Sequence, residues 1–242
     1  MSNTEANQAN TITEGLPPEL RSKMALALDV DDLVEAMRLA KQLSPWFGVV
    51  KVGLELYSAA GTDAIGSLVD KGFDVFLDLK LHDIPTTVGK AARVCGALGV
   101  KYLTMHAHGG EDMLRAGVEG LRDGAEKAEL EEPKAIAITV LTSDAGAPEH
   151  IVPNRLRVAV ESGCAGIVCS AKDLKYIREL APRTMRVTPG IRAAGSETHD
   201  QPKAVTPKIA LDEGADLLVI GRAVTLADNP AEAASKLFSE LV

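Results

Sequence analysis

Cysteine is scarce in this chain: Cys95, Cys164 and Cys169 are the only three in 242 residues, and no two of them form a CxxC pair. An odd number of thiols without a pairing pattern excludes a disulfide framework and suits a reducing compartment, so a cytoplasmic location is expected. No run of 18 apolar residues occurs, and residues 1–23, MSNTEANQANTITEGLPPELRSK, contain no hydrophobic signal core. Neither membrane insertion nor secretion is therefore expected. Long basic runs are missing too: 26 Lys and Arg stand against 34 Asp and Glu, for a net charge of −8. Such a chain is poorly suited to nucleic acid or to a membrane surface, although a local cationic pocket can still hold a small anion.

What is present is enough apolar material, 46% of the residues, for one large core. It is arranged as eight short β-rich runs: MALALD (24–29), GVVKVG (48–53), DVFLDLK (74–80), KYLTMHA (101–107), KAIAITV (134–140), AGIVCS (165–170), MRVTPG (185–190) and DLLVIG (216–221). Between them, stretches such as DDLVEAMRLAKQL and MLRAGVEGLRDGAEKA carry apolar residues at three- and four-residue intervals, as helices covering a sheet do. Strands alternating with helices imply parallel pairing, and near-continuous apolar runs suit strands buried on both faces. A doubly wound sheet would open with a GxGxxG turn, whereas ALDVDD follows here. The expected fold is α/β, a single-domain (β/α)8 TIM barrel over residues 24–242 preceded by a poorly ordered polar tail over 1–23. Helix starts are readable at Thr206-Pro207 and Asn229-Pro230, with Gly214 as a stop.

Active sites in this fold lie at the carboxyl ends of the strands. The polar residues there are Asp29, Lys51, Asp78, Lys80, His106, Thr142, Pro189 with Arg192, and Gly221 with Arg222. DLKLHDI at 78–84 places Asp78, Lys80 and Asp83 just beyond the apolar Val75, Phe76 and Leu77. Unpaired charge is costly to bury, so these groups must neutralise one another or serve chemistry. Side chains two apart on a strand share a face, and Lys51 ends the neighbouring strand. The expected order Lys51, Asp78, Lys80, Asp83 alternates in sign, which sets each ammonium between carboxylates. A structural ion-pair network is the alternative, weakened by four charges converging from two strands.

A second constellation suits phosphate. The loops after strands seven and eight read TPGIRAAGSETHDQ and IGRAVT. There Gly221 admits a close backbone approach, Arg222 supplies a fork of donors, and Gln201 adds an amide. The long connection from Gly190 to Val205 is expected to act as a lid, with Gly190 and Gly195 as hinges. His106 and His108 form an HxH on strand four and are expected to share a face that could chelate a metal, but Lys51 and Lys80 would repel a cation in the same pocket; no metal site is expected. His82 has the opposite parity to Lys80 and is placed outside the reacting face. Ser143, Ser170 and the thiols have no evident activating partners.

DLKLHDIP resembles the DxKxxD signature of the orotidine 5′-phosphate decarboxylase family. ALD (27–29), KVG (51–53), TVLTS (139–143), VTPGIR (187–192) and VIGRAVT (219–225) also match in order, covering residues 24 to about 230. The DxKxxD element alone also occurs in sugar-phosphate decarboxylases of the same superfamily. The resemblance implies cofactor-independent conversion of orotidine 5′-monophosphate to UMP, the last step of de novo pyrimidine nucleotide synthesis. It implies that Asp29 and Lys51 contact the ribose, while Asp78 and Lys80 flank the reacting carbon and carboxylate. Asp83 and Thr87 would come from the other subunit of a homodimer to reach the neighbouring ribose, with Asp83 completing the charged network. Thr142 would approach the pyrimidine, Pro189 would belong to the substrate-binding residues, and Arg192, Gln201, Gly221 and Arg222 would serve the phosphate. Thr86 stands where many relatives have Asn, while Thr87 is retained. Other readings are a magnesium-dependent sugar-phosphate decarboxylase, an aldolase forming a Schiff base on Lys80, and a catalytically silent phosphosugar-binding protein.

Overall fold

The computed structural model describes residues 15–140, 150–193 and 205–241. Eight parallel strands close into a barrel in sequence order: β1 (Met24–Ala27), β2 (Val49–Val52), β3 (Asp74–Leu81), β4 (Tyr102–His106), β5 (Lys134–Ile138), β6 (Gly166–Val168), β7 (Met185–Pro189) and β8 (Leu217–Ile220). The barrel closes through β1 and β8, where Ala25 stands level with Val219. Seven strands fall within their β-rich runs, and β3 extends one residue beyond its run, to Leu81.

Alternation along the strands divides the apolar residues into two layers. Ala25, Val49, Phe76, Tyr102, Ile136, Val187 and Leu217 fill the barrel interior, with Phe76 and Tyr102 meeting edge to face at 5.8 Å. Their sequence neighbours, among them Leu26, Val50, Val75, Leu77, Leu103 and Met105, point outward and pack beneath the helices. Burying a side chain of this size contributes about 1.5–3 kcal/mol, so both layers strongly specify strand register. Inward parity has a direct functional consequence. Two residues beyond Val49, Phe76 and Tyr102 come Lys51, Asp78 and Thr104, so the polar groups above the plug inherit its inward direction.

Helix ends follow the local chemistry. The Asp32 side chain accepts from the amide of Glu35 at 2.7 Å, while Thr206 and Asn229 accept from Ile209 and Glu232, each at 3.3 Å. Pro207 and Pro230 open their helices, and Gly214, at a φ of 103°, follows the end of the Pro207–Asp212 helix. Residues 15–23, which sequence alone assigns to the tail, are packed. Leu16 is buried and its amide donates to Pro45 O at 2.9 Å, Pro18–Arg21 forms a helical turn, and Arg21 O accepts from Gly48 at 2.9 Å. This segment docks beside the start of β2; the rest of the expected tail, 1–14, lies outside the described residues.

The Pro85–Ala97 helix, which continues directly from Asp83 and Ile84, lies against the Gly110–Lys127 helix with their backbones in contact. A Cβ at Gly124 would overlap the carbonyl of Arg93, and one at Gly120 would overlap that of Gly89. Neither carbonyl can move without breaking its helix. Gly124→Ala is therefore expected to be net destabilising, by about 2 kcal/mol, even though alanine is the better helix former. The check is thermal unfolding, where a drop of roughly 5 °C is expected for a chain of this size; an unchanged or higher melting temperature would contradict the contact.

Candidate active site

The charged groups gather at the carboxyl ends of β1, β2 and β3. Lys51 Nζ lies 3.0 Å from Asp29 Oδ1 and 3.8 Å from Asp78 Oδ2, and Lys80 Nζ lies 2.8 Å from the same Asp78 Oδ2. Asp78 and Lys51 are the sheltered members, with side chains only 13% and 11% exposed. Ions so placed are stable only when each faces opposite charge. The alternating chain runs Asp29, Lys51, Asp78, Lys80, so the fourth charge within this chain is Asp29 rather than the expected Asp83. Asp83 is exposed, its carboxylate accepts from the Ile84 amide at 2.6 Å, and it forms no ion pair among the described residues.

Asp78 and Lys80 meet by a route that regular strand geometry does not anticipate. Leu77 pairs with Leu103 and Leu81 with Met105, so β3 takes four steps where β4 takes two. The two extra residues are accommodated by a bulge in which Lys80 has a φ of 53°. A left-handed conformation at a lysine costs about 1–3 kcal/mol and persists only where its surroundings fix it. Thr104 provides that fixing: its Oγ1 accepts from the Lys80 amide at 2.8 Å, and its hydroxyl donates to Asp78 Oδ1 at 3.0 Å. Sequence reasoning missed Thr104 because it lies inside β4 rather than at its end; its shared parity with Tyr102 and His106 was the available signal. Gly53 was missed as well. A Cβ there would stand 3.1 Å from Lys51 Nζ and 3.4 Å from Asp29 Oδ1, so glycine keeps room beside that pair.

On the far side of Lys80, the His82 ring lies 5.6 Å from those of His106 and His108. His82 is exposed, and its ring adjoins that of the inward-facing His106. β4 ends at His106 and His108 belongs to the Ala107–Gly109 turn. The common strand face on which HxH chelation was premised does not exist. Burial, followed by the charges of His82, Lys80, Arg155 and His108, pushes the His106 imidazole below its ordinary range, which favours its neutral form. The thiols are poor nucleophiles: burial pushes Cys95 up to about 11 and both Cys164 and Cys169 up to about 12. Ser170 donates to the Asp173 carboxylate at 2.6 Å, a contact within the turn that follows β6.

The opposite rim is built by β7 and β8. Pro189 ends β7 level with Val219, and Gly190 follows at a φ of 81°, where glycine is favoured. Ile191 then bridges Val205, and the Arg192 amide donates to Val205 O at 3.1 Å, closing the base of the long connection. Gly221 precedes the Arg222–Thr225 turn, and a Cβ there would lie 3.3 Å from that of Ala27 and 3.7 Å from Asp29 Oδ2. Small size at Gly221 thus leaves room beside Ala27 and Asp29 where this rim meets the charged chain. Arg222 is exposed, and Thr87 lies on the outer surface in the first turn of the Pro85–Ala97 helix. Thr142, Gln201, Ser143 and Gly195 lie outside the described residues. No helix among the described residues is long and apolar enough to cross a membrane.

Comparison with known proteins agrees with this fold. A model of the orotidine 5′-phosphate decarboxylase / HUMPS family matches residues 22–237. The orotidine 5′-phosphate decarboxylase of Moorella thermoacetica is 42% identical over 233 residues, which span 91% of this chain and 92% of the relative. That of Pseudoalteromonas translucida is 42% identical over 226 residues, spanning 89% and 95% respectively. Among solved structures, the orotidine 5′-phosphate decarboxylase from Lactobacillus acidophilus superposes with a TM-score of 0.76 at 34% identity, covering 90% of this chain and 97% of that one.

Proposed function

The chain belongs to the orotidine 5′-phosphate decarboxylase / HUMPS family, and we propose that Lys80 carries its chemistry: cofactor-independent conversion of orotidine 5′-monophosphate to UMP and carbon dioxide. As an orotidine-5′-phosphate decarboxylase, a carboxy-lyase of the pyrimidine pathway, it must cleave the bond between C6 and the carboxylate. The electron pair left on C6 occupies an orbital in the ring plane, where no neighbouring carbonyl can delocalise it. A fixed positive charge is the remaining means of stabilisation. The observation that carries the assignment is the Lys80 ammonium, held 2.8 Å from Asp78 Oδ2 on the inner side of the barrel mouth.

In this reading Lys80 stabilises the nascent carbanion and then transfers a proton to C6, leaving a neutral amine that solvent reprotonates. Asp78 holds Lys80 in place and faces the departing carboxylate, raising the energy of the bound ground state. Asp29 and Lys51 engage the ribose, Thr142 borders the pyrimidine, and Pro189 at the end of β7 lines the substrate site. At an effective dielectric of 20, opposite charges 4 Å apart attract by about 4 kcal/mol, which corresponds to a rate factor of about 10³. Since enzymes accelerate reactions by about 10⁶-fold or more, further binding energy must be used at the reacting carbon. We assign that role to the phosphate end, contacted by Arg192, Gln201, Gly221 and Arg222; residues 194–204 of the expected lid lie outside the described residues. All three cysteines are unpaired and buried, which suits the cytoplasmic location proposed.

The test is the ultraviolet absorbance of orotidylate. Adding the protein is expected to convert it to that of UMP at the same rate with and without EDTA. No conversion, or conversion abolished by EDTA, would overturn the reading; so would borohydride trapping of substrate on Lys80, which would indicate a Schiff base.

The same reading includes a homodimer in which Asp83 and Thr87 reach the neighbouring site. It is supported by the outward placement of both residues and by Ile84 between them, 65% exposed. Lys80→Ala and Asp83→Ala protomers, each nearly inactive alone, are expected to complement when mixed and allowed to exchange. Random pairing makes half the dimers hybrid, each with one intact site, which restores roughly a quarter of wild-type activity. Mixtures no more active than their components would exclude the crossed arrangement.

A further inference from the structure

We propose that Thr104 is a positioning residue for the reaction: one buried hydroxyl holds the backbone of Lys80 in its left-handed bulge and selects which oxygen of Asp78 serves the lysines. This rests on the decarboxylase reading above. Thr104 is fully buried and lies on the inward face of β4, between Tyr102 below and His106 above. A threonine hydroxyl has one proton to give and lone pairs to receive. The Lys80 amide can only donate and the Asp78 carboxylate can only accept, so the bonds at 2.8 Å and 3.0 Å admit one assignment of roles.

Two consequences follow for the site. First, the amide of Lys80 is taken by a side chain at the point where the β3–β4 ladder shifts register. Without that acceptor, nothing else among the described contacts ties the bulge to β4 at residue 80. Second, Asp78 Oδ1 is occupied, so Oδ2 is the oxygen lying 2.8 Å from Lys80 and 3.8 Å from Lys51. The terminal torsion of an aspartate is intrinsically broad, and the Thr104 bond narrows it. Thr104 touches no substrate in this scheme; it acts by setting the place and direction of the ammonium that does.

The experiment compares the full-length wild type with Thr104→Val, which keeps the shape without the hydroxyl, Thr104→Ala, which removes both, and Thr104→Ser, which restores the hydroxyl. Because a displacement of about 1 Å at a reacting group costs on the order of 10²-fold, kcat for Val and Ala is expected to fall by about that factor. KM for orotidylate and Kd for UMP should each stay within about threefold, because the phosphate contacts and the Asp29–Lys51 pair are not bonded to Thr104. Serine should recover most of kcat. A Val variant with kcat within about threefold of wild type would overturn the inference, as would a loss appearing only in KM or a Ser variant as impaired as Val. If Val does not fold, Ala decides on the same criteria. Absence of turnover by the wild type would sink the decarboxylase reading itself, whereas wild-type turnover with an indifferent Val variant would sink this inference alone.

Discussion

Lys80→Ala is expected to fold, to bind UMP and to decarboxylate orotidylate about 10⁴- to 10⁷-fold more slowly than wild type. The size of the loss comes from removing two functions at once. General acid catalysis is worth about 10²–10⁴, and a charge aimed at a developing anion about 10²–10³. Stability should change little, because the Lys80 side chain is 32% exposed and is not part of the buried apolar core. Alanine keeps the left-handed strain, and the amide bond to Thr104 is made by the backbone. Asp78 is not stranded either, since Lys51 remains 3.8 Å away and Thr104 still donates to Oδ1. Single-turnover rates for decarboxylation, with UMP titration and thermal unfolding as controls, check all three parts. A variant retaining turnover within tenfold of wild type would refute the role of the lysine.

Asp78→Asn comes second in expected size, with kcat falling by about 10³, the rate equivalent of one ion pair of about 4 kcal/mol at 4 Å. Asp78 Oδ2 is the only anionic atom between the two ammoniums among the described contacts, at 2.8 Å from Lys80 and 3.8 Å from Lys51. Asparagine preserves the shape and an acceptor for Thr104, but it then turns an amide N–H₂ toward two cations. Lys51 keeps its bond to Asp29 at 3.0 Å, so Lys80 is the group released. Unlike the lysine variant, this one retains a proton donor, so its residual rate should exceed that of Lys80→Ala. UMP should bind as well as or more tightly than before, since UMP has no carboxylate for Asp78 to oppose. The pair of measurements is kcat and the UMP Kd; a tenfold weaker affinity for UMP with unchanged kcat would show that Asp78 serves binding instead.

Much of this was readable from the chain alone, for identifiable reasons. A strand buried on both faces has to be apolar throughout, so all eight strands announced themselves as short aliphatic runs, and proline after a capping residue marked two helix starts. Asp29, Lys51, Asp78 and Lys80 stood out because charge beyond a buried strand requires a partner. The bulge at Lys80 was not readable: its cause is a mismatch of register between β3 and β4, a relation between two strands that neither sequence segment contains. Thr104 could be placed inward by its parity with Tyr102 and His106, but not singled out, as its importance lies in what the bulge leaves unbonded. His108 was misplaced because nothing in MHAHGG marks where β4 stops. Asp83 reads as part of the charged chain along the sequence, but the helix that begins at Pro85 turns it outward.

The proposal that Lys80 stabilises and protonates the C6 anion can be tested without any departing carboxylate. By microscopic reversibility, an amine that delivers a proton to C6 must also be able to remove it. Wild-type enzyme incubated with UMP in deuterium oxide is expected to exchange the C6 hydrogen for deuterium, and Lys80→Ala, with UMP equally bound, is not. Exchange by the alanine variant at the wild-type rate would contradict the account.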